Sequence, residues 1–144
     1  MTGSDTVAAV REAVAAAAPE IRGGLAGRRE KSTETNPTGD RRLAADEYAD
    51  DLLEDLLGRI DGVGTYASEE RAAAVDVGDG LSVAVDPLDG SSNLKPNNVM
   101  GTIVGLYEAP LPSRGRELVA AGSVLYRPIT TMAFARDGSV TEYL

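Results

Sequence analysis

A chain of 144 residues with 42% hydrophobic residues has room for one domain with a modest core, and with only 4% aromatics that core must be built from Ala, Val, Leu and Ile. Cysteine and histidine are both absent, which excludes disulfides, thiol catalysis, Cys/His zinc sites and imidazole acid–base chemistry, and leaves carboxylates, hydroxyls, backbone dipoles and hard metal ions. A formal net charge of −9 argues against bulk nucleic acid or an anionic membrane as partner.

The acid excess, with Lys31 and Lys95 as the only lysines, fits adaptation to high salt and equally a high-GC codon bias. No apolar run approaches the roughly 20 residues of a membrane span, and the N-terminus has no basic leader. A soluble, cytoplasmic protein is expected.

Residues 4–20, "SDTVAAVREAVAAAAPE", read as a helix. Ser4 or Asp5 caps it, Val7, Val10 and Val14 recur at helical spacing, and Pro19 is expected to end it. Residues 23–39, "GGLAGRREKSTETNPTG", have no period and read as a long polar loop, functional or mobile. A second helix is expected over residues 40–60, "DRRLAADEYADDLLEDLLGRI". Its apolar stripe is Leu43, Tyr48, Leu52, Leu53, Leu56, Leu57 and Ile60, and Asp40 sits at its start, where a carboxylate suits the helix dipole.

From Gly62 the period becomes that of strands: "GVGTYASEE", "LSVAVDP", "GTIVGLYEA", "ELVAAGSVLYRP", "TTMAFARD" and "SVTEYL", separated by Gly, Pro, Asp and Asn turns. Asp-Gly within "RDGS" predicts a tight hairpin between the last two. The order predicts an α+β fold, two N-terminal helices packed on one face of a mainly antiparallel sheet.

Acids gather at the ends of these elements: Asp40 and Asp46 in the second helical segment, Glu69 and Glu70 closing a strand, and Asp86 and Asp89 around a turn. Hard divalent ions take oxygen ligands and share carboxylates with substrate phosphate, and a pair of such ions serves phosphoryl transfer. In "VAVDPLDGSSNL", residues 83–94, Asp86 ends an apolar strand and Pro87 fixes φ. Leu88 offers its carbonyl and Asp89 a second carboxylate. Gly90 permits a sharp turn, and Ser91 and Ser92 offer backbone N–H groups for an anion. Each feature also has a plain reading: "DPxDG" as an ordinary turn, "SEE" as a solvated strand end, Asp40 as a helix cap and Asp46 as part of a solvated helix face.

"DPLDGSSN" resembles the signature of class I fructose-1,6-bisphosphatases, within the lithium-sensitive, Mg²⁺-dependent sugar and inositol phosphatases. "TNPTGDRRLAAD" is similar to that family's Asn-x-x-Gly-Asp followed six residues later by Asp. "YASEE" is similar to its Ser-Glu-Glu strand end, and "GTIVGLYEA" and "ELVAAGSVLY" resemble the strands after the signature. Ser91–Ser92–Asn93 favours the bisphosphatase branch over inositol monophosphatases, which usually carry Thr there. The resemblance implies that Glu69, Asp86, Asp89 and the Leu88 carbonyl ligate Mg²⁺, with Mn²⁺ or Zn²⁺ as substitutes. Glu70 would ligate a metal as well or, with Asp46, orient and deprotonate the attacking water, and Asp40 would support a mobile loop and its metal contacts. Gly90, Ser91 and Ser92 would hold the phosphate, and Asn93 would brace the turn.

The implied reaction is hydrolysis of the 1-phosphate of fructose 1,6-bisphosphate in gluconeogenesis. The implied partners are a sugar phosphate and, in full-length form, sister subunits of a tetramer. Family members are about twice as long, so residues 1–144 would be an N-terminal metal-binding half lacking the α/β domain that carries most sugar contacts. A small phosphomonoesterase of the inositol monophosphatase kind, or an inactive metal-binding half, are the alternatives. Lys95 stands where an acid often follows the signature, and Arg127 where the family tends to have a small residue. No residues match an AMP site.

Overall fold

The computed structural model describes residues 3–28, 31–35, 41–94, 96 and 98–144, with backbone alone for 31–35 and 41–43. Helix α1 spans Gly3–Gly24 and buries Thr6, Val7, Val10, Val14, Ala17, Ala18 and Ile21 along one face. Pro19 lies inside α1 and does not end it. Proline removes one N–H and crowds the preceding turn; buried Ala17, Ala18 and Ile21 flank it and hold the last turn against the core.

The polar stretch after α1 is not all loop. Strand β1 (Lys31–Thr35) pairs antiparallel with β2 (Arg41–Leu43), and β2 displaces the expected start of the second helix. Helix α2 therefore runs Ala44–Gly58. Of the expected stripe Leu53 and Leu57 are on its innermost face, which otherwise differs. Ala45, Asp46, Ala49, Asp50, Leu53 and Leu57 are buried, while Leu52, Leu56 and Ile60 only pack against the core margin. Small alanines let α2 approach the sheet closely, and two aspartates are carried inward with them.

Seven strands form the main sheet, in the order β4-β3-β5-β6-β7-β8-β9. They are β3 (Gly62–Ser68), β4 (Val75–Asp76), β5 (Gly80–Asp89), β6 (Met100–Tyr107), β7 (Leu118–Tyr126), β8 (Thr131–Arg136) and β9 (Ser139–Tyr143). Every neighbouring pair is antiparallel except β3 and β5, which run parallel. Both helices contact strands of this sheet, and Tyr66, Val83, Val85, Val104, Leu106, Val124 and Phe134 join them in one core. Ile103, 44% exposed, points away from that core, as strand alternation requires.

Glycine is demanded where β3 and β5 enter the sheet side by side. Gly80 has φ +136°, and a Cβ there would collide with the Gly62 carbonyl. The expected hairpin forms at Asp137–Gly138, both with positive φ (50° and 75°), with Arg136 opposite Ser139, as a tight primed turn requires. No helix among the described residues is long and apolar enough to cross a membrane.

Candidate active site

The one parallel pair decides where the acids go. In an antiparallel pair, successive strands deliver their C-terminal ends to opposite edges of a sheet. β3 and β5 run parallel with Ser68 opposite Val85, so Glu69, just past the end of β3, comes beside Asp86, which is still within β5. The Glu69 N–H donates to the Val85 carbonyl at 3.1 Å, which carries the pairing one residue further. Ligand sites in open sheets favour the carboxyl ends of parallel strands for this reason.

Beyond Asp86 the β5–β6 register slips. Asp86 pairs with Ile103 and Asp89 with Gly101, so the intervening Pro87 and Leu88 bulge out of step and re-aim Asp89. Two buried hydroxyls hold this bulge. Thr102 Oγ1 donates to the Pro87 carbonyl at 2.8 Å and receives the Tyr126 hydroxyl at 2.7 Å. Burial pushes the Tyr126 phenol up to about 12, against the Thr102 bond, which lowers it. Leu88 is anchored with its side chain buried.

Asp86 shows what the convergence does to charge. Its carboxyl is pushed up to about 8, first by burial, then by a hydrogen bond with and the charge of Glu69, and by the charges of Asp89 and Glu70. Its Oδ1 is buried with no hydrogen-bond partner. Among the described residues no three acids are already gathered closely enough to hold an ion, so they are neighbours short of a closed ligand cage. An all-oxygen donor set, a buried orphan carboxylate oxygen and mutual repulsion fit a hard divalent cation and suit no soft metal.

Glu70 and Asp46 are buried, 7% and 2% exposed, so neither is the solvated strand end or helix face of the plain reading. The Glu70 N–H donates to Ser68 Oγ at 3.1 Å, and the Arg71 N–H closes a turn onto the Ser68 carbonyl at 3.1 Å.

After Asp89, Gly90 takes a left-handed conformation (φ 75°, ψ 31°) and starts a 3-10 turn over Ser91–Asn93. The Asn93 and Leu94 N–H groups close that turn onto Gly90 and Ser91. The N–H groups at its start have no partner within the turn by its geometry. Asn93 Nδ2 donates to the Val99 carbonyl at 3.0 Å, and the Asn98 N–H to the Asn93 carbonyl at 2.8 Å, tying the turn to the start of β6. Asp40 and Lys95 lie outside the described residues, and Arg127 is an exposed residue just past β7.

Sequence reasoning missed a second group of charges beside this site. Asp50 is 1% exposed; its Oδ2 takes Arg71 Nε at 2.7 Å and its Oδ1 the Tyr66 hydroxyl at 2.8 Å. Burial and Asp50 raise the Tyr66 phenol. Burial opposes the Arg71 charge, but the bond to and charge of Asp50, followed by Glu54, outweigh it and hold the guanidinium above its ordinary range. The available signal was Asp50 at three and seven residues before Leu53 and Leu57, an acid on the inward face.

The acids thus gather at the one parallel pair of a mainly antiparallel sheet backed by two helices, and the fold and its relatives define the class. Residues 4–144 match the family model described as "Fructose-1-6-bisphosphatase, N-terminal domain", and the chain belongs to that family. It is 55% identical over 141 residues to the class 1 fructose-1,6-bisphosphatase of Natronomonas pharaonis, covering 96% of this chain and 50% of that protein. It is 56% identical over 144 residues to that of Halobacterium salinarum, covering 98% of this chain and 50% of that protein. These relatives are from halophilic archaea, in keeping with the acid-rich, lysine-poor composition. In fold it resembles Leishmania major fructose-1,6-bisphosphatase in holo form, with TM-score 0.87 and 20% identity over 98% of this chain and 51% of that one. The chain thus spans about half the length of the curated relatives it matches.

Proposed function

We propose that the chain forms the cation- and phosphate-binding half of a phosphatase that hydrolyses the 1-phosphate of fructose 1,6-bisphosphate. The observation that carries this reading is the parallel register of β3 and β5, which sets Glu69 beside Asp86, with Asp89 and Glu70 close enough to raise the Asp86 carboxyl. Mg²⁺ held by Glu69, Glu70, Asp86, Asp89 and the Leu88 carbonyl would act as Lewis acid toward a phosphate ester and lower the pKa of an attacking water.

The chain's own groups supply the rest. Asp46 and Glu70, buried and therefore shielded from bulk water, orient the nucleophilic water and accept its proton. The N–H groups at the start of the Gly90–Ser92 turn bind equatorial phosphate oxygens as charge develops. Asn93 keeps that turn in place through Val99 and Asn98. Gluconeogenesis, a cytoplasmic setting and a tetramer in full-length form belong to the same proposal by family resemblance.

The test is phosphate release from fructose 1,6-bisphosphate with and without Mg²⁺. It compares the chain alone with the chain joined to the C-terminal half of the Natronomonas pharaonis relative. Mg²⁺-dependent turnover is expected in the joined form, with the chain alone binding metal and turning over little. Asp89→Asn in the joined form should lose turnover by about two orders of magnitude or more. Near-normal turnover in that variant refutes the metal assignment.

A further inference from the structure

The turn that carries Glu69 and Glu70 is tied to helix α2 through Arg71. Arg71 reaches Asp50 Oδ2 through Nε at 2.7 Å, and through Nη2 it reaches Glu54 Oε2 at 2.7 Å and Asp51 Oδ1 at 3.2 Å. These acids lie along one side of α2, and Asp50 is held from behind by the Tyr66 hydroxyl at 2.8 Å. The guanidinium also lies over the Tyr66 ring, 5.7 Å from its centroid. The backbone of the same turn is pinned to the sheet by the Glu69 N–H on Val85 and the Arg71 N–H on Ser68. The turn is therefore fixed to β5 at one end and to α2 at the other.

We propose that Arg71 is a positioning residue: by anchoring the turn it sets where Glu69 and Glu70 stand against Asp86 and Asp89, and so the shape of the cation site, and with it the separation between Glu70 and Asp46. Asp46 lies one helical turn before Asp50 on the buried face of α2, and Glu70 is the residue before Arg71. The bridge that locks Asp50 to Arg71 thus registers the two candidate catalytic acids against each other. A planar fork spanning two carboxylates fixes direction as well as distance, which a lysine ammonium does not. The same cation places a fixed positive charge next to an acidic site, limiting repulsion between α2 and the strand end. This inference rests on the reading of Glu69, Glu70, Asp86 and Asp89 as a divalent-cation site.

The test measures Mn²⁺ affinity of the chain by calorimetry in high salt, for wild type, Arg71→Lys, Glu54→Gln and Asp86→Asn, well below each protein's unfolding temperature. Wild type is expected to bind and Asp86→Asn to lose binding. Arg71→Lys should remain folded and bind about tenfold more weakly, because charge is kept and the fork is lost. Glu54→Gln, which removes one prong at a partly exposed position, should remain folded and weaken binding by a smaller factor. In the joined form, Arg71→Lys should lower kcat and raise the Mg²⁺ needed for half-activity, with KM for the sugar phosphate unchanged. Folded Arg71→Lys and Glu54→Gln proteins with wild-type Mn²⁺ affinity overturn the positioning role while leaving the cation site standing. Wild type with no Mn²⁺ binding overturns the cation site and this inference together.

Discussion

Two carboxylate groups on neighbouring elements solve the same electrostatic problem in opposite ways. Around Asp50 the chain supplies its own cation: Arg71 and the Tyr66 hydroxyl occupy both carboxylate oxygens. Around Asp86 it supplies more acid, and burial with Glu69, Asp89 and Glu70 drives the carboxyl up to about 8. A buried acid with its own counter-charge is part of the scaffold. A half-buried acid surrounded by others, with an orphan oxygen, has no counter-charge of its own, and the proposed cation would supply one. The two groups lie within a few residues of each other in sequence, Glu70 beside Arg71 and Asp46 one turn from Asp50, so in the proposed reading the first group mounts the second.

The comparison breaks most visibly at Asp50. Asp50→Ala leaves the Tyr66 hydroxyl and Arg71 without their shared partner, and should destabilise the chain by about 3 kcal/mol, the lower end for opening a buried pair because Arg71 is partly exposed. Urea unfolding measures it; a loss below about 1 kcal/mol would make the Arg71 pair no more than a surface contact. Adding Mg²⁺ addresses the other group. At about ten times its Kd it should stabilise the folded chain by about 1.4 kcal/mol, seen as a rise in Tm over a NaCl control of equal ionic strength.

Asp86→Asn should move stability the other way in metal-free protein. The folded carboxyl titrates near 8 and the ordinary value is 3.8. Between those values the folded chain keeps a proton that the unfolded chain has released. The group's contribution is therefore greatest below its unfolded pKa and is lost as pH rises to about 8. Asparagine removes that loss. In EDTA the variant should gain on wild type as pH is raised, by about 1 kcal/mol at about pH 9, a modest figure because the group is half-exposed and screened. It should also lose the Mg²⁺ effect. A variant less stable than wild type at that pH would mean that Asp86 is not under repulsion.

How far these groups were legible in sequence follows from how local each signal is. The strands from Gly62 onward alternate clearly, and Asp137–Gly138 announces its own turn, because side-chain period and positive φ are local properties. "KSTET" and "RRL" have no apolar alternation, so the β1–β2 pair gave no local sign. Pro19 misled because a breaker was weighed without the burial of Ala17, Ala18 and Ile21 around it. The acids at strand ends could be named from the signature, yet their convergence depends on β3 and β5 running parallel, a topological fact that no residue in either strand encodes. Arg71 and Asp50 stayed hidden because a salt bridge across 21 residues has no periodicity, and one acid among several on α2 does not stand out until its burial is known.

The smallest expected effect tests the bulge rather than the charges. Tyr126→Phe removes the hydroxyl that donates to Thr102 but leaves Thr102 free to keep its bond to the Pro87 carbonyl. Only one neutral hydrogen bond is lost, about 0.5–1 kcal/mol. Because the folded phenol titrates near 12 against an ordinary 10.0, the difference from wild type should be flat below pH 10. It should shrink above that, where the unfolded tyrosine ionises and the folded one does not. Mn²⁺ affinity should be unchanged, since the Thr102–Pro87 bond that re-aims Asp89 survives. Thr102→Val, which breaks that bond while keeping the volume, should weaken Mn²⁺ binding as well as stability. Equal metal affinity in the two variants would mean that the bulge is held by the β5–β6 ladder alone, and that the buried hydroxyl pair serves only the core.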